Sequence, residues 1–172
     1  MEALLVIDML HDFIDPEGAL YSGPSGRDII PYVARLLDEH RQKGSLIVFV
    51  QDSHDVNDKE FERFPPHCLA GQKGSQVIPE LAPLPDETIL PKKRFSAFFN
   101  TNLEKLLKQA KVNQAHLCGV CTSICVMDTC SDLANRDYTV YLHQRGVADF
   151  DDEAHQFAMK RMENVLGAKM VD

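Results

Sequence analysis

Residues 116–142, HLCGVCTSICVMDTCSDLANRDYTVYL, decide the fold. His116 to Val120 is an apolar run of strand length, residues 123–135 have helical spacing, and Tyr138 to Leu142 alternates aromatic and β-branched residues like a second strand. A strand, a helix and a strand in this order form a right-handed crossover that sets the two strands parallel. The same alternation runs outward in both directions. Upstream lie a strand at Ala3 to Ile7, a helix over 28–42 and a strand at Leu46 to Val50. The 28–42 helix carries Ile29, Ile30, Val33, Leu36 and Leu37 on one face and stops at Gly44. Thr88 to Leu90 adds a short strand, and Leu103, Leu106, Leu107 and Ala110 mark a helix. Downstream, Ala154, Phe157, Ala158, Met162 and Val165 mark a last helix before a strand at Ala168 to Val171. The expectation is one α/β domain over 1–172, an open parallel sheet of about six strands with helices on both faces. No internal repeat, linker or low-complexity segment interrupts it.

The composition agrees. With 172 residues, 44% hydrophobic and 26% charged, the chain suits one globular core. A fold of this size buries roughly 70% of its unfolded surface and needs neither disulfide nor structural metal, so a metal here calls for a functional explanation. The net charge of −8 comes with no basic run of five or more residues, which argues against nucleic acid as a partner. MEALLVIDML is apolar only briefly and is broken by Asp8, so it reads as neither signal peptide nor membrane span, and a cytoplasmic location is expected. The cysteine count, five, is odd, and Cys118, Cys121, Cys125 and Cys130 crowd together, which fits reduced thiols better than a disulfide framework.

In an open α/β sheet, ligands bind beyond the carboxyl ends of the strands. That rule selects Asp8, Asp52 with His54, Lys92, and the segment Gly119-Val120-Cys121-Thr122-Ser123-Ile124-Cys125. An acid, an ammonium and a thiol at a helix start are the parts of a cysteine nucleophile site, because helix dipole and ammonium both favour the thiolate. Each residue alone has a plainer reading. An aspartate after a strand often caps a turn, a lone lysine is usually solvated, and Cys118 packs as a small hydrophobe. The spacing of Cys118, Cys121 and Cys125 is a weak match to zinc or iron–sulfur ligation, for no fourth ligand is evident. A proline-bearing excursion over 52–85 carries Asp52, His54, Glu60 and His67. A carboxylate and two imidazoles suit zinc, manganese or iron with positions left open, with Glu60 as an extra oxygen ligand. The alternative is that Asp52 and His54 cap the loop. His11, His40, His116, His143 and His155 have no comparable partners and are expected to be surface or core residues.

At these residues the sequence resembles the isochorismatase-like cysteine hydrolases, and within them the nicotinamidase (pyrazinamidase) branch. The match covers nearly the whole chain: LLVIDMLHDF, DSHD, FPPHCLAG, KKRFSAFFNTNLEKLL, GVCTSICVMDT and the tail from VADFDDEAHQ to KMVD. DSHD with FPPHC is specific to the metal-bearing branch, whereas GVCTSICV alone indicates the superfamily. The resemblance implies Cys125 as nucleophile, Asp8 as its proton partner and Lys92 as the third member of a triad. Lys92 is chosen over Lys93 because the family lysine stands three residues before the aromatic that is Phe95 here. It also implies one divalent metal ion, zinc first and manganese or iron as alternatives, on Asp52, His54 and His67 with Glu60 as an occasional fourth ligand. The oxyanion hole would be the amides of Cys121 and Cys125, with a cis peptide between Val120 and Cys121. Phe13, Phe64 and Phe95 would sandwich a pyridine ring. The implied activity is hydrolysis of nicotinamide to nicotinate and ammonia through a thioester, in NAD salvage, extending to pyrazinamide. The implied partner is a small molecule, with no nucleic acid or membrane, and a homo-oligomer is left open. Ser123 stands where relatives commonly carry Asp, and Phe64 where many carry Trp. The rival readings are another small-amide or carbamoyl hydrolase on the same triad, and a thiol metal-binding or redox module on Cys118, Cys121 and Cys125.

Overall fold

Strand β1 (Glu2–Ile7) lies near the middle of a six-stranded, all-parallel sheet in the computed structural model, which describes residues 1–172. Its neighbours are β2 (Leu46–Asp52) on one side and β4 (Gln114–Val120) on the other. β3 (Thr88–Lys92) extends the sheet beyond β2; β5 (Thr139–Ala148) and β6 (Lys169–Val171) extend it beyond β4. The order β3-β2-β1-β4-β5-β6 reverses direction between β1 and β4, and that switch point is where open α/β sheets form their ligand crevice.

Both faces of the sheet are covered. Leu4, Val6, Ile47, Phe49 and Cys118 pack against α1 (His11–Ile14) and α3 (Ile30–Lys43), with the short α2 (Pro24–Asp28) between the two in sequence. Leu5, Ile7, Val48, Val50, Leu117 and Leu142 pack against α4 (Leu103–Gln109), α5 (Met127–Ala134) and α6 (Asp152–Asn164). Strands buried on both sides read as continuous apolar runs, which is why ALLVI and LIVFV do not alternate. Each fully buried Leu, Ile or Val contributes about 1.5–3 kcal/mol. No helix is long and apolar enough to cross a membrane.

The helix expected over 28–42 is α3, opened by Pro31 in its first turn, and the short α2 just before it was not anticipated. Gly44 ends α3 in the left-handed region, its N–H bonded to the His40 and Arg41 carbonyls. The stretch expected as one helix over 123–135 opens with a wide π-type turn, Thr122–Val126, before α5. β5 continues past Leu142 to Ala148 through exposed Gln144 and Arg145, with a register shift between Leu117 and Gly119 on β4. Gly119 has φ 117°. A Cβ there would lie 1.9 Å from the Ile7 carbonyl oxygen, so only glycine allows β4 to graze β1 at the switch point.

Candidate functional site

Asp8, Lys92 and Cys125 meet at that switch point although they come from three different elements. Asp8 directly follows β1; its amide still bonds to the Val50 carbonyl and its side chain is fully buried. Lys92 ends β3, and its Nζ lies 2.8 Å from Asp8 Oδ2 and 3.4 Å from Cys125 Sγ. The ammonium also pairs with Asp52 Oδ1. Asp8 Oδ1 accepts the Asp52 amide at 3.0 Å, which fixes the acid between the two neighbouring strands. The peptide between Val120 and Cys121 is cis, and both Cys121 and Cys125 line the cavity in front of the three residues.

These neighbours set the charge states. Burial is the largest influence on Asp8, the Asp52 charge adds to it, Lys92 opposes both, and the carboxyl is pushed up to about 6. Burial draws the Lys92 ammonium down, but the Asp52 and Asp8 carboxylates outweigh it and hold the lysine well above its ordinary value. Burial pushes the Cys125 thiol well above its ordinary range, and Lys92 offsets only part of this. Burial therefore favours the thiol form of Cys125, which sits beside a carboxylate able to take its proton.

Asp52, His54, Glu60 and His67 form a second cluster directly behind Lys92, every one buried, with ligand atoms all within 4.8 Å of one another. Asp52 closes β2. A short parallel bridge between His54 and Leu69 brings the FPPHC segment back alongside, through His54 N to Cys68 O and Ala70 N to His54 O, both 2.9 Å. Asp12 Oδ2 accepts the Cys68 amide at 2.6 Å and anchors that return. Both imidazoles have Nδ1 engaged, His54 with Asp58 Oδ2 at 3.1 Å and His67 with the Pro65 carbonyl at 2.8 Å. Each Nε2 is thereby aimed inward at Asp52 Oδ2, at 3.5 Å from His54 and 3.9 Å from His67. Glu60 Oε1 lies 3.8 Å from His67 Nε2.

The set fits a divalent cation. His54 Nε2 and Glu60 Oε2 are buried without a hydrogen-bond partner, and two ligands each about 2.1 Å from one ion lie at most about 4.2 Å apart. Burial would raise Asp58, yet the Glu60 amide, His54 and Arg94 bring it to about 2, so it stays an anion behind His54. Asp58 and Arg94, 2.9 Å apart, did not emerge from the sequence; the only signal was that Asp58 stands four residues after His54.

A cavity of about 270 Å³ opens onto both clusters. Phe13, Phe64 and Phe95 all line it, and the Phe13 and Phe64 rings lie 5.5 and 6.3 Å from the His67 ring. Leu20, Tyr21, Ile124 and Phe150 complete its apolar wall and were not anticipated. Nor was Asp149, whose Oδ2 accepts the Ser123 amide at 2.7 Å and holds the turn that carries Cys125. Both Asp149 and Phe150 directly follow β5, and the strand-end rule would have selected them had β5 been read to its full length. Of the remaining thiols, Cys118 and Cys130 are fully buried, as is Cys68 at the end of FPPHC, and no group of three cysteines converges. That arrangement gives the thiol metal-module reading no support.

The sequence profile of the isochorismatase domain matches residues 2–172. The "Uncharacterized isochorismatase family protein PncA" of Bacillus subtilis is 35% identical, with 99% of each chain covered. The crystal structure of nicotinamidase PncA from Bacillus subtilis superimposes with a TM-score of 0.95 at 34% identity, over 99% of both chains. Pyrazinamidase of Pyrococcus horikoshii in complex with zinc gives 0.93 at 32% identity, covering 99% of this chain and 98% of that one. N-carbamoylsarcosine amidase from Thermoplasma acidophilum gives 0.89 at 30% identity, covering 98% and 94%. A thiol, an acid and a lysine at the switch point of a sheet shared so fully with these proteins leave one conclusion: the chain belongs to the isochorismatase family of hydrolases.

Proposed function

We propose that this chain is a nicotinamidase that hydrolyses nicotinamide to nicotinate and ammonia, and pyrazinamide by the same route, working in the cytoplasm in pyridine-nucleotide salvage. The observation that carries the reading is the sharing of Asp52: one oxygen holds Lys92 of the thiol cluster and the other faces His54 and His67, on one aromatic-walled cavity. A thiol site alone serves many amides. A four-donor cation cluster on the same cavity suits an amide that also carries a ring nitrogen.

The flat carboxamide ring is held between Phe13, Phe64 and Phe95 with its carbonyl carbon at Cys125. The Cys125 thiol passes its proton to Asp8 as sulfur bonds to that carbon, and Lys92 stabilises the developing thiolate. The amides of Cys121 and Cys125 bind the oxyanion, a contribution of about 3–4 kcal/mol per donor in comparable sites. Asp8 then gives its proton to the departing ammonia, leaving a thioester. Water adds to the thioester carbonyl, Asp8 takes the water proton and returns it to the sulfur, and the carboxylic acid leaves. Asp52, His54, His67 and Glu60 would hold a divalent ion, which would supply a Lewis acid for the ring nitrogen.

Ammonia release from nicotinamide, pyrazinamide, benzamide and an N-carbamoyl amino acid tests the reading. Turnover of the two ring-nitrogen amides, well ahead of benzamide, supports it. Turnover of the carbamoyl compound alone would assign the chain to the carbamoyl amidase side of the family.

A further inference from the structure

Three imidazoles unused by the proposed chemistry meet at the amino-terminal end of the sheet, far along β1 and β4 from Asp8 and Cys121. His40 comes from the last turns of α3, His116 from β4 and His143 from β5, and each offers a ring nitrogen within 4.8 Å of the other two. All are at least nine-tenths buried, at 1%, 9% and 7% exposure. Glu2, the first residue of β1, turns toward them: its Oε2 lies 3.7 Å from His116 Nε2 and 3.8 Å from His40 Nδ1.

The hydrogen bonds around this group do not close. His116 Nδ1 bonds His143 Nε2 at 3.0 Å, and His143 Nδ1 bonds the Tyr32 hydroxyl at 2.9 Å. His116 Nε2 and Glu2 Oε2 are both buried with no hydrogen-bond partner, and they face each other at a distance too long for a bond in either tautomer. Buried polar atoms left unpaired cost about 1–3 kcal/mol each, and a cation between them satisfies both.

We propose that Glu2, His40 and His116 form a second divalent-metal site, separate from the Asp52 cluster, for a borderline dication of the zinc type. Imidazole with carboxylate is the donor set such ions take, and the 3.7 and 3.8 Å spacings lie within the about 4.2 Å that two ligands on one ion span. His143 and Tyr32 stand behind His116 as the hydrogen-bonded partners that orient a metal-binding imidazole, and Tyr141 stacks on its other side at 4.7 Å. Ser45 Oγ bonds His40 Nδ1 at 2.9 Å, a hydrogen bond that gives way when this nitrogen takes the ion. A surface depression lined by Glu2, Lys43 and Ser45 gives an entry path. Lys43 Nζ, 3.7 Å from Glu2 Oε2, is the half-exposed cation an incoming ion displaces.

The site does not depend on the amidase reading, and its test is stoichiometry. Equilibrium dialysis of the full chain against zinc, followed by elemental analysis, is expected to give two ions per chain for the unaltered protein, and one each for H116Q and for H54A/H67A. Zinc is expected to raise the melting temperature of H54A/H67A but not of H54A/H67A/H116Q. K43M changes an exposed side chain and leaves the fold intact, and in the H54A/H67A background it should tighten zinc binding several-fold. Equal zinc content in the unaltered chain and H116Q, or zinc affinity in H54A/H67A unchanged by K43M, overturns the proposal and leaves the histidines as a buried polar network.

Discussion

Asp52 and Lys92 form a buried ion pair in which the carboxylate also belongs to the cation cluster, one oxygen on the ammonium and the other 3.5 Å from His54 Nε2. A change at Asp52 therefore reaches both halves of the site. Asp52→Asn should lose bound metal and also slow alkylation of Cys125 by iodoacetamide, because Lys92 loses one of its two anchors. His67→Ala should lose metal while Cys125 alkylates at nearly the unaltered rate. Identical alkylation in the two variants would show that Asp52 does not couple the clusters.

Cys125→Ala should abolish amide hydrolysis while the fold persists. The residue is 5% exposed and packs into the α4–α6 side of the core. Deleting one sulfur leaves a small void, so the expected stability loss is about 1 kcal/mol. A variant retaining a tenth of the turnover, measured as ammonia release, would end the thioester mechanism.

The pH dependence follows from Asp8. Its carboxyl titrates near 6, chiefly through burial, and only the ionised form accepts the thiol proton. Above that value the site holds a carboxylate and a thiol; below it Asp8 is protonated and the thiol has no base. The sign is thus an acid limb: kcat/KM should rise with pH up to about 6 and then level off, falling about tenfold per unit below it. A limb near the ordinary carboxylate value of about 4 would mean that burial does not govern Asp8.

Much of this was legible because a buried parallel strand is an unbroken apolar run that ends abruptly, so Asp8, Asp52 and Lys92 stand out as the first charges after ALLVI, LIVFV and TILP. The same signal failed at β5, where exposed Gln144 and Arg145 interrupt the run beside the register shift and hid Asp149 and Phe150. Pairing across the loop was also illegible. Nothing in the spacing of His54 and His67 announces the Leu69 bridge or the Asp12 anchor that brings them together. His40, His116 and His143 were expected as separate surface or core residues, and are one cluster because the last turns of α3 lay the His40 ring against those of His116 and His143, which neighbouring strands bring side by side.

Phe13 tests the aromatic slot. It is 7% exposed, lines the cavity and packs on His67 at 5.5 Å, so it serves both the core and the pocket. A ring pair contributes about 0.5–1.5 kcal/mol beyond its buried area, so Phe13→Leu, which keeps the core filled, should raise KM for nicotinamide by about 2- to 13-fold. kcat should move less than KM. An unchanged KM would assign Phe13 to packing alone.

The sharpest test of the cation cluster is a residue that touches no substrate. Asp58 holds His54 Nδ1 at 3.1 Å and is itself held by Arg94 and by the Glu60 amide at 2.9 Å. As an anion it fixes the proton of His54 on Nδ1 and leaves the Nε2 lone pair free for an ion. Asp58→Asn preserves the shape but lets the amide nitrogen face Nδ1, which permits the tautomer whose Nε2 carries the proton. Zinc affinity should fall about 10- to 100-fold, the range for such outer partners of metal-bound histidines. Activity at limiting zinc should fall with it and recover as zinc is raised, because the ligands themselves remain. Cys125 alkylation should not change, since Asp58 does not contact the thiol cluster. Loss of activity that excess zinc fails to restore, with alkylation slowed as well, would show that Asp58 supports the loop and not the ion.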